Sequence, residues 1–424
     1  MTNSTVSLDD KYSIESGRIF VTGVQALARI PMVQRQRDVL EGLNTAGFIS
    51  GYRGSPVGGF DQQLWRAKKF LEQNHIRFQP GLNEDLAASA IWGSQQTNLH
   101  EGGKYDGVFA IWYGKGPGVD RCGDVFKHGN MSGPAKHGGV LLVAGDDHAA
   151  KSSTVPHQSE YAFMDASIPV LNPAGVQDIV DYGILGFAMS RFSGCWVAFK
   201  TTAENMDSSA SIDVSPDRVK ISLPECDMPK GGLSIRWPDD WIEQEHRLHQ
   251  YKLNAVRAFA RQNKIDKTII NSQNPKLGVV TTGKSYLDVR QALEDLGINE
   301  AKADKIGLRL YKVGMPWPLE PQGIDEFSQG LKEILVIEEK RPIIESQLKE
   351  HLFNHAPKNR PNVVGKYDDK GQFLQPAAGE LSPSLIAKVI ASRILQFSDD
   401  TAIREKLKFM QDKEDELIKP ETDF

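Results

Sequence analysis

The sequence predicts an α/β protein in two successive parts, each a mainly parallel sheet flanked by helices. Three observations lead there. Short apolar runs alternate with amphipathic stretches of helical length. Glycine-bearing turns close several of the apolar runs. At 424 residues the chain also exceeds one ordinary core, so two or three domains are expected.

Taken in order, residues 48–52 read as a short buried strand. Between 61 and 73, Leu64, Trp65, Ala67, Phe70 and Leu71 fall on one helical stripe. A second helix is expected over 83–99, with Asn83 as its N-cap. Residues 107–113 and 139–144 read as central strands, 168–171 as a shorter one, then a helix over 176–192 and a strand over 195–200. Pro224, Pro229, Gly231, Gly232 and Pro238 mark a linker, and a charged helix follows over 240–262. The second part repeats the alternation: strands at 276–283, 308–313 and 333–338, helices at 286–296, 324–331 and 343–353. Residues 355–383, rich in Pro, Gly, Asn and Lys, read as a loop. Two helices, 383–397 and 400–418, end the chain. The expected boundaries are a first domain over 1–228, a linker and helix over 229–265, a second domain over 266–365 and a helical tail over 366–424.

Composition narrows the function. Hydrophobic residues make up 40% and charged residues 25%, the balance of a globular protein. The net charge of −5 is spread along the chain, so no basic stripe argues for nucleic acid. No apolar run approaches the roughly 20 residues that span a bilayer, and the polar N-terminus lacks the pattern of a signal peptide. A cytoplasmic protein without membrane contact is expected. The three cysteines, Cys122, Cys195 and Cys226, form no CxxC pair and cannot supply four thiolates to an iron–sulfur cluster. The ten histidines do not cluster at metal-ligand spacing, so no metal site is expected on this chain.

Four segments carry candidate chemistry. Gly51-Tyr52-Arg53-Gly54-Ser55-Pro56-Val57-Gly58-Gly59 leaves a buried strand as a turn that brings backbone close to a ligand. Glu84 opens the helix after Asn83. It either complements the helix macrodipole or sits in a crevice where burial sets its protonation, and local pattern favours the former. Asp85 beside it projects elsewhere and is the weaker choice. Tyr113-Gly114-Lys115-Gly116-Pro117-Gly118 follows a strand, and its glycines suit a cofactor or an anion cradled on backbone N–H groups. Lys115 and Arg121 read by default as solvated loop charges. Gly145-Asp146-Asp147-His148-Ala149-Ala150-Lys151-Ser152-Ser153 follows another strand, where α/β folds place ligand-facing loops.

As an ordered set these segments resemble the pyrimidine-binding domain of thiamine-diphosphate 2-oxoacid:ferredoxin oxidoreductases, and the indolepyruvate ferredoxin oxidoreductases most. The resemblance runs from about Gly17 to about Pro361 and is strongest between Phe48 and Pro173. It implies a thiamine-diphosphate-binding fold followed by a smaller transketolase C-terminal-like α/β domain. It also reverses the preference at Glu84, which falls where the family carries the carboxylate that activates the aminopyrimidine ring. It assigns Gly54, Ser55, Pro56 and Gly116 to the cofactor, and Arg53, Ser55, His148, Ser152 and Ser153 to substrate. Arg53 departs from the family's commoner proline and offers a bidentate carboxylate contact; a surface arginine in a turn is the equal alternative.

The family's reaction is oxidative decarboxylation of an aryl 2-oxoacid with coenzyme A, reducing ferredoxin. Its diphosphate motif is Gly-Asp-Gly followed by asparagine some thirty residues on. Gly145-Asp146-Asp147 with Asn172 imitates that motif but lacks its third glycine. Mg2+ and [4Fe-4S] clusters are therefore expected on a C-terminal half or a separate subunit, in a homo- or hetero-oligomer. Two other readings stay open: a non-catalytic assembly protein with an oxidoreductase-like fold, and a CoA- or nucleotide-binding module using the glycine loops around Gly114 and Gly283.

Overall fold

The computed structural model describes residues 7–418. The chain divides into two compact units between Lys264 and Ile265.

In the first unit β1 (Arg18–Thr22) pairs antiparallel with a late strand, β8 (Ser209–Asp213). Between them lie β2 (Ala46–Gly51), β3 (Ile76–Phe78), β4 (Val108–Lys115), β5 (Val140–Gly145), β6 (Val170–Leu171) and β7 (Val197–Thr201). These six form one parallel sheet in the order β3-β2-β4-β5-β7-β6. The interior strands β5 and β7 are buried along their whole length, as a sheet covered on both faces requires. The carboxyl ends of β2, β4, β5 and β7 all open on the same edge.

The strands at 48–52, 107–113, 139–144, 168–171 and 195–200 are present with small shifts of boundary. Several elements escaped the pattern, among them strands β1, β3 and β8 and a long helix. The helix Gly23–Leu40 is buried on nearly every side, so it shows no polar stripe. Its fully buried Arg29 donates to the carbonyls of Tyr12 at 2.6 Å and Ile14 at 2.9 Å. Its Asp38 forms a bidentate pair with Arg191 of the helix Val176–Ser193, at 2.6 and 2.9 Å. The stripe read over 61–73 is two helices, Phe60–Arg66 and Lys68–Gln73, joined at Ala67.

The segment expected as a linker with its own helix belongs to the first unit. Its helical part runs Trp241–Arg247, a π turn Leu248–Lys252, then Leu253–Gln262. The buried Lys252 ammonium donates to the carbonyls of Asn130 at 2.9 Å and Met131 at 2.8 Å, near the end of the helix Gly123–Ser132. Burial lowers its pKa to about 8.

The second unit adds β9 (Lys267–Ile270), β10 (Leu277–Thr282), β11 (Leu308–Val313), β12 (Glu333–Ile337) and β13 (Asn362–Val364). Their order is β13-β12-β10-β11-β9, with β9 the antiparallel edge. Alternate residues of the sheet face opposite cores. Val279, Leu335 and Ile337 pack with the helices Gly283–Asp295 and Pro383–Ile394 on one side. Val280, Ile334 and Val336 pack with Pro321–Ser328 and Ile344–Leu352 on the other. The stretch read as a helical tail is thus part of this unit's core: Leu381, Ile386, Ile390, Ile394 and Ile403 are all buried in it.

Candidate functional site

The site is built at the carboxyl edge of the first sheet, where the turns after β2, β4 and β5 meet. Asn83 caps the helix Glu84–Gln95 by accepting from the Leu86 N–H at 2.9 Å, which fixes Glu84 as its first residue. The indole N–H of Trp112, on β4, donates to the Glu84 carbonyl at 3.1 Å and ties that turn to the strand end. The Glu84 side chain then crosses the turn after β4. A Cβ placed on Gly118 would lie 2.5 Å from Glu84 Cγ and 2.9 Å from its Oε1, so only glycine leaves room for the carboxylate there. Glu84 is half-buried. Asp85 turns instead toward the buried Cys122, whose thiol is pushed up by burial first and by the neighbouring Asp85 and Glu84 charges second.

Lys115 organises the three turns, a role its sequence context did not reveal. Its Nζ donates to the Ser153 hydroxyl at 3.2 Å and lies 3.4 Å from the Ser152 carbonyl. Its alkyl stem packs on Gly54, where an added Cβ would meet Lys115 Cδ at 2.9 Å. Pro56 in turn lies against Gly145, 2.9 Å from where that residue's Cβ would stand. Gly54, Ser55 and Pro56 are therefore brought beside the loop bearing Ser152 and Ser153. Ser55 and Arg53 are exposed, Pro56 and His148 buried.

Asp147 shapes the serine loop. It accepts from the Lys151 N–H at 2.9 Å, the Ser152 N–H at 2.7 Å and the Ser152 hydroxyl at 3.1 Å. Burial pushes its pKa up, but these hydrogen bonds outweigh that and hold its carboxyl below the usual carboxylate range. The Ser152 hydroxyl is thus engaged within its own loop. Gly116, expected at the cofactor, packs on an internal neighbour: a Cβ there would come within 2.2 Å of the His157 ring. His157 Nε2 lies 3.0 Å from Asp120 Oδ2.

Behind the loops sits a buried charge cluster that sequence reasoning missed. Lys200 Nζ is 2.5 Å from Glu160 Oε1 and 3.5 Å from Asp146 Oδ2. Asp146 also accepts from the Ser159 N–H at 2.9 Å and the Ser159 hydroxyl at 2.5 Å. Burial raises the pKa of Glu160. Asp146 is thus engaged with internal partners, and β7 stands between β5, which leads to Asp146, and β6, which leads to Asn172.

One reading of the histidines needs correction. His351 and His355 stand four apart, a metal-ligand spacing, and in the second unit the fold brings Asp325 to both. That spacing was the available signal. The three cysteines are unpaired thiols, with Cys122 and Cys195 buried. Among the described residues no helix is long and apolar enough to cross a membrane.

Residues 267–416 match the family model described as the indolepyruvate oxidoreductase domain. Among curated proteins, the chain is 27% identical over 351 residues to the indolepyruvate oxidoreductase subunit IorA of Pyrococcus abyssi, covering 80% of this chain and 48% of that one. It is 26% identical over 382 residues to the Pyrococcus horikoshii subunit of the same name, covering 88% and 52%. The chain thus spans about half the length of the curated relatives it matches. Among solved structures, a 2-oxoglutarate:ferredoxin oxidoreductase from Magnetococcus marinus superposes with a TM-score of 0.61 at 15% identity, over 89% of this chain and 65% of that one. A split-gene transketolase superposes with a TM-score of 0.50 at 11% identity, over 89% and 99%. Both likenesses are of fold, the thiamine-diphosphate-enzyme fold that the sequence predicted. Over residues 267–416 the chain is thus similar to the indolepyruvate oxidoreductase domain, and over four fifths of its length to curated indolepyruvate oxidoreductase subunits.

Proposed function

We propose that this chain is the part of an indolepyruvate-type, aryl 2-oxoacid:ferredoxin oxidoreductase that meets the aminopyrimidine end of thiamine diphosphate. The observation that carries the reading is the Glu84 carboxylate, laid across Gly118 at the carboxyl edge of the sheet. A carboxyl group there, half-buried and flanked by glycines, fits a flat heteroaromatic ring that needs one hydrogen-bonding partner. Glu84 would hold that ring by a ring nitrogen, and Gly54, Ser55 and Pro56 would line its approach. When bound, the cofactor supplies the electron sink that decarboxylation of a 2-oxoacid requires.

The remaining side chains bind and orient. Arg53, exposed on the turn after β2, offers a planar guanidinium to a substrate carboxylate. Ser55 offers a hydroxyl to the 2-oxo group. Lys115 and Asp147 hold the serine loop in place, so His148, Ser152 and Ser153 line the substrate side of the mouth. At Gly116 a side chain would meet the His157 ring, so it is the backbone of this glycine that would approach the cofactor.

The diphosphate with its Mg2+, and the [4Fe-4S] clusters that pass electrons to ferredoxin, belong in this reading to a C-terminal half or partner subunit. The length of the IorA relatives supports that division. Coenzyme A would enter the complete assembly, in the cytoplasm.

The test is Glu84→Gln in the assembled enzyme. Loss of the carboxylate's proton-transfer role should lower 2-oxoacid-dependent ferredoxin reduction on the order of 100-fold or more, with assembly intact. Unchanged turnover would sink this reading and favour an assembly role.

A further inference from the structure

We infer that the second unit carries a divalent transition-metal site formed by Asp325, His351 and His355. The three groups come from separate places and converge. Asp325 lies on the helix Pro321–Ser328, and His351 in the last turn of Ile344–Leu352. His355 follows three residues after that helix, its N–H donating to the Leu352 carbonyl at 3.0 Å. His351 Nε2 is 2.7 Å from Asp325 Oδ1, and His355 Nε2 is 3.7 Å from the same oxygen. One donor atom from each residue lies within 4.8 Å of the other two.

An ordinary His–Asp pair uses one imidazole. Here two Nε2 atoms turn on one carboxylate oxygen, and the rings stand edge to face with centroids 5.2 Å apart. Three donor atoms within 4.8 Å of one another are spaced as ligands around one ion, whose bonds to such donors run about 2.0–2.2 Å. The backbones are held: Ile324 and Leu352, the neighbours of Asp325 and His351, are buried in one apolar cluster with Phe327, Ile344 and Leu348. Positions fixed by a packed core are what a preorganised ligand set requires.

The donor set selects the ion. Two imidazole nitrogens and one carboxylate oxygen suit zinc or a neighbouring first-row ion, whereas calcium and magnesium take oxygen. Three protein ligands leave a coordination position open. Asp325 and His355 also line a groove of about 650 Å³, together with Ser328, Lys332, Lys358 and Asn359. Lys332 and Lys358 place positive charge there, so the open position takes water or a small anion.

The experiment uses the full chain without a histidine tag, stripped with chelator and titrated with zinc chloride by calorimetry, and with cobalt chloride by visible absorption. One equivalent should bind with a micromolar or lower Kd, and cobalt should give d–d bands. His355→Ala and His351→Gln, both at part-exposed positions, should each weaken zinc binding at least tenfold while the metal-free melting temperature stays constant. His100→Ala, at an exposed position in the first unit, should bind like the parent. No saturable equivalent at about 100 μM free zinc, roughly a hundredfold above the micromolar Kd expected, would overturn the site. So would binding that both variants leave unchanged.

Discussion

Glu84 illustrates how little a residue's position in its own helix says about its role. In the first turn it complements the macrodipole whatever else it does; the glycine beneath it is what separates the two readings. A merely electrostatic glutamate would tolerate a methyl group on Gly118, since it could swing into solvent. A positioned one would not. Gly118→Ala is therefore expected to lower turnover of the assembled enzyme about 10- to 100-fold, the order of cost of a displacement near 1 Å, while the melting temperature moves by only a few degrees. Steady-state ferredoxin reduction beside a thermal melt checks both halves. Lys115 makes the complementary point. Read in sequence it is one cation in a glycine loop; in the fold it joins the turn after β4 to the serine loop after β5.

At the scale of elements, the strands were legible because fully buried parallel strands are continuous apolar runs. The helix Gly23–Leu40 was not, because burial on all sides erases the period on which a helix is read. The short edge strands β3 and β13, three residues each, hold too few residues to show any period. Connections between elements were equally silent. Asp266, just before β9, accepts from the N–H groups of Gly314 at 2.7 Å and Met315 at 3.0 Å, bracing the turn after β11. Burial raises its pKa from 3.8 to about 7, against those hydrogen bonds. A carboxyl raised in the folded state binds more protons there than unfolded between those two values. Its contribution is whole below the unfolded pKa and is lost as pH rises to about 7. Asp266→Asn keeps the accepting oxygen and removes the titration. The variant should match the parent only near or below pH 3.8, gain on it as pH rises through 5 and 6, and exceed it at pH 8 by on the order of 1–3 kcal/mol, measured by urea unfolding.

At the scale of the molecule, the chain divides between Lys264 and Ile265, whereas the sequence predicts edges at 228, 265 and 365. Residues 229–264 fall in the first unit, and the helices beyond 383 close one face of the second sheet. A fragment ending at 365 would leave that face of the sheet covered by the helix Gly283–Asp295 but without Leu381, Ile386, Ile390, Ile394 and Ile403. We predict that residues 265–424 expressed alone unfold in one cooperative transition, whereas 265–365 is aggregated or lacks one. Circular dichroism melts and size-exclusion chromatography decide between them.

By itself the sequence determined the alternation of strands and helices, the turns that follow β2, β4 and β5, and Asn83 and Glu84 as the head of a helix. Those features are written in local periodicity and turn chemistry, which a linear string preserves. Only the tertiary structure decided which groups face one another: Glu84 over Gly118, Lys115 against Ser153, Lys200 between Asp146 and Glu160, Asp325 beside His351 and His355. Each of these joins residues of different elements, and their meeting depends on strand order and core packing, which local pattern does not encode.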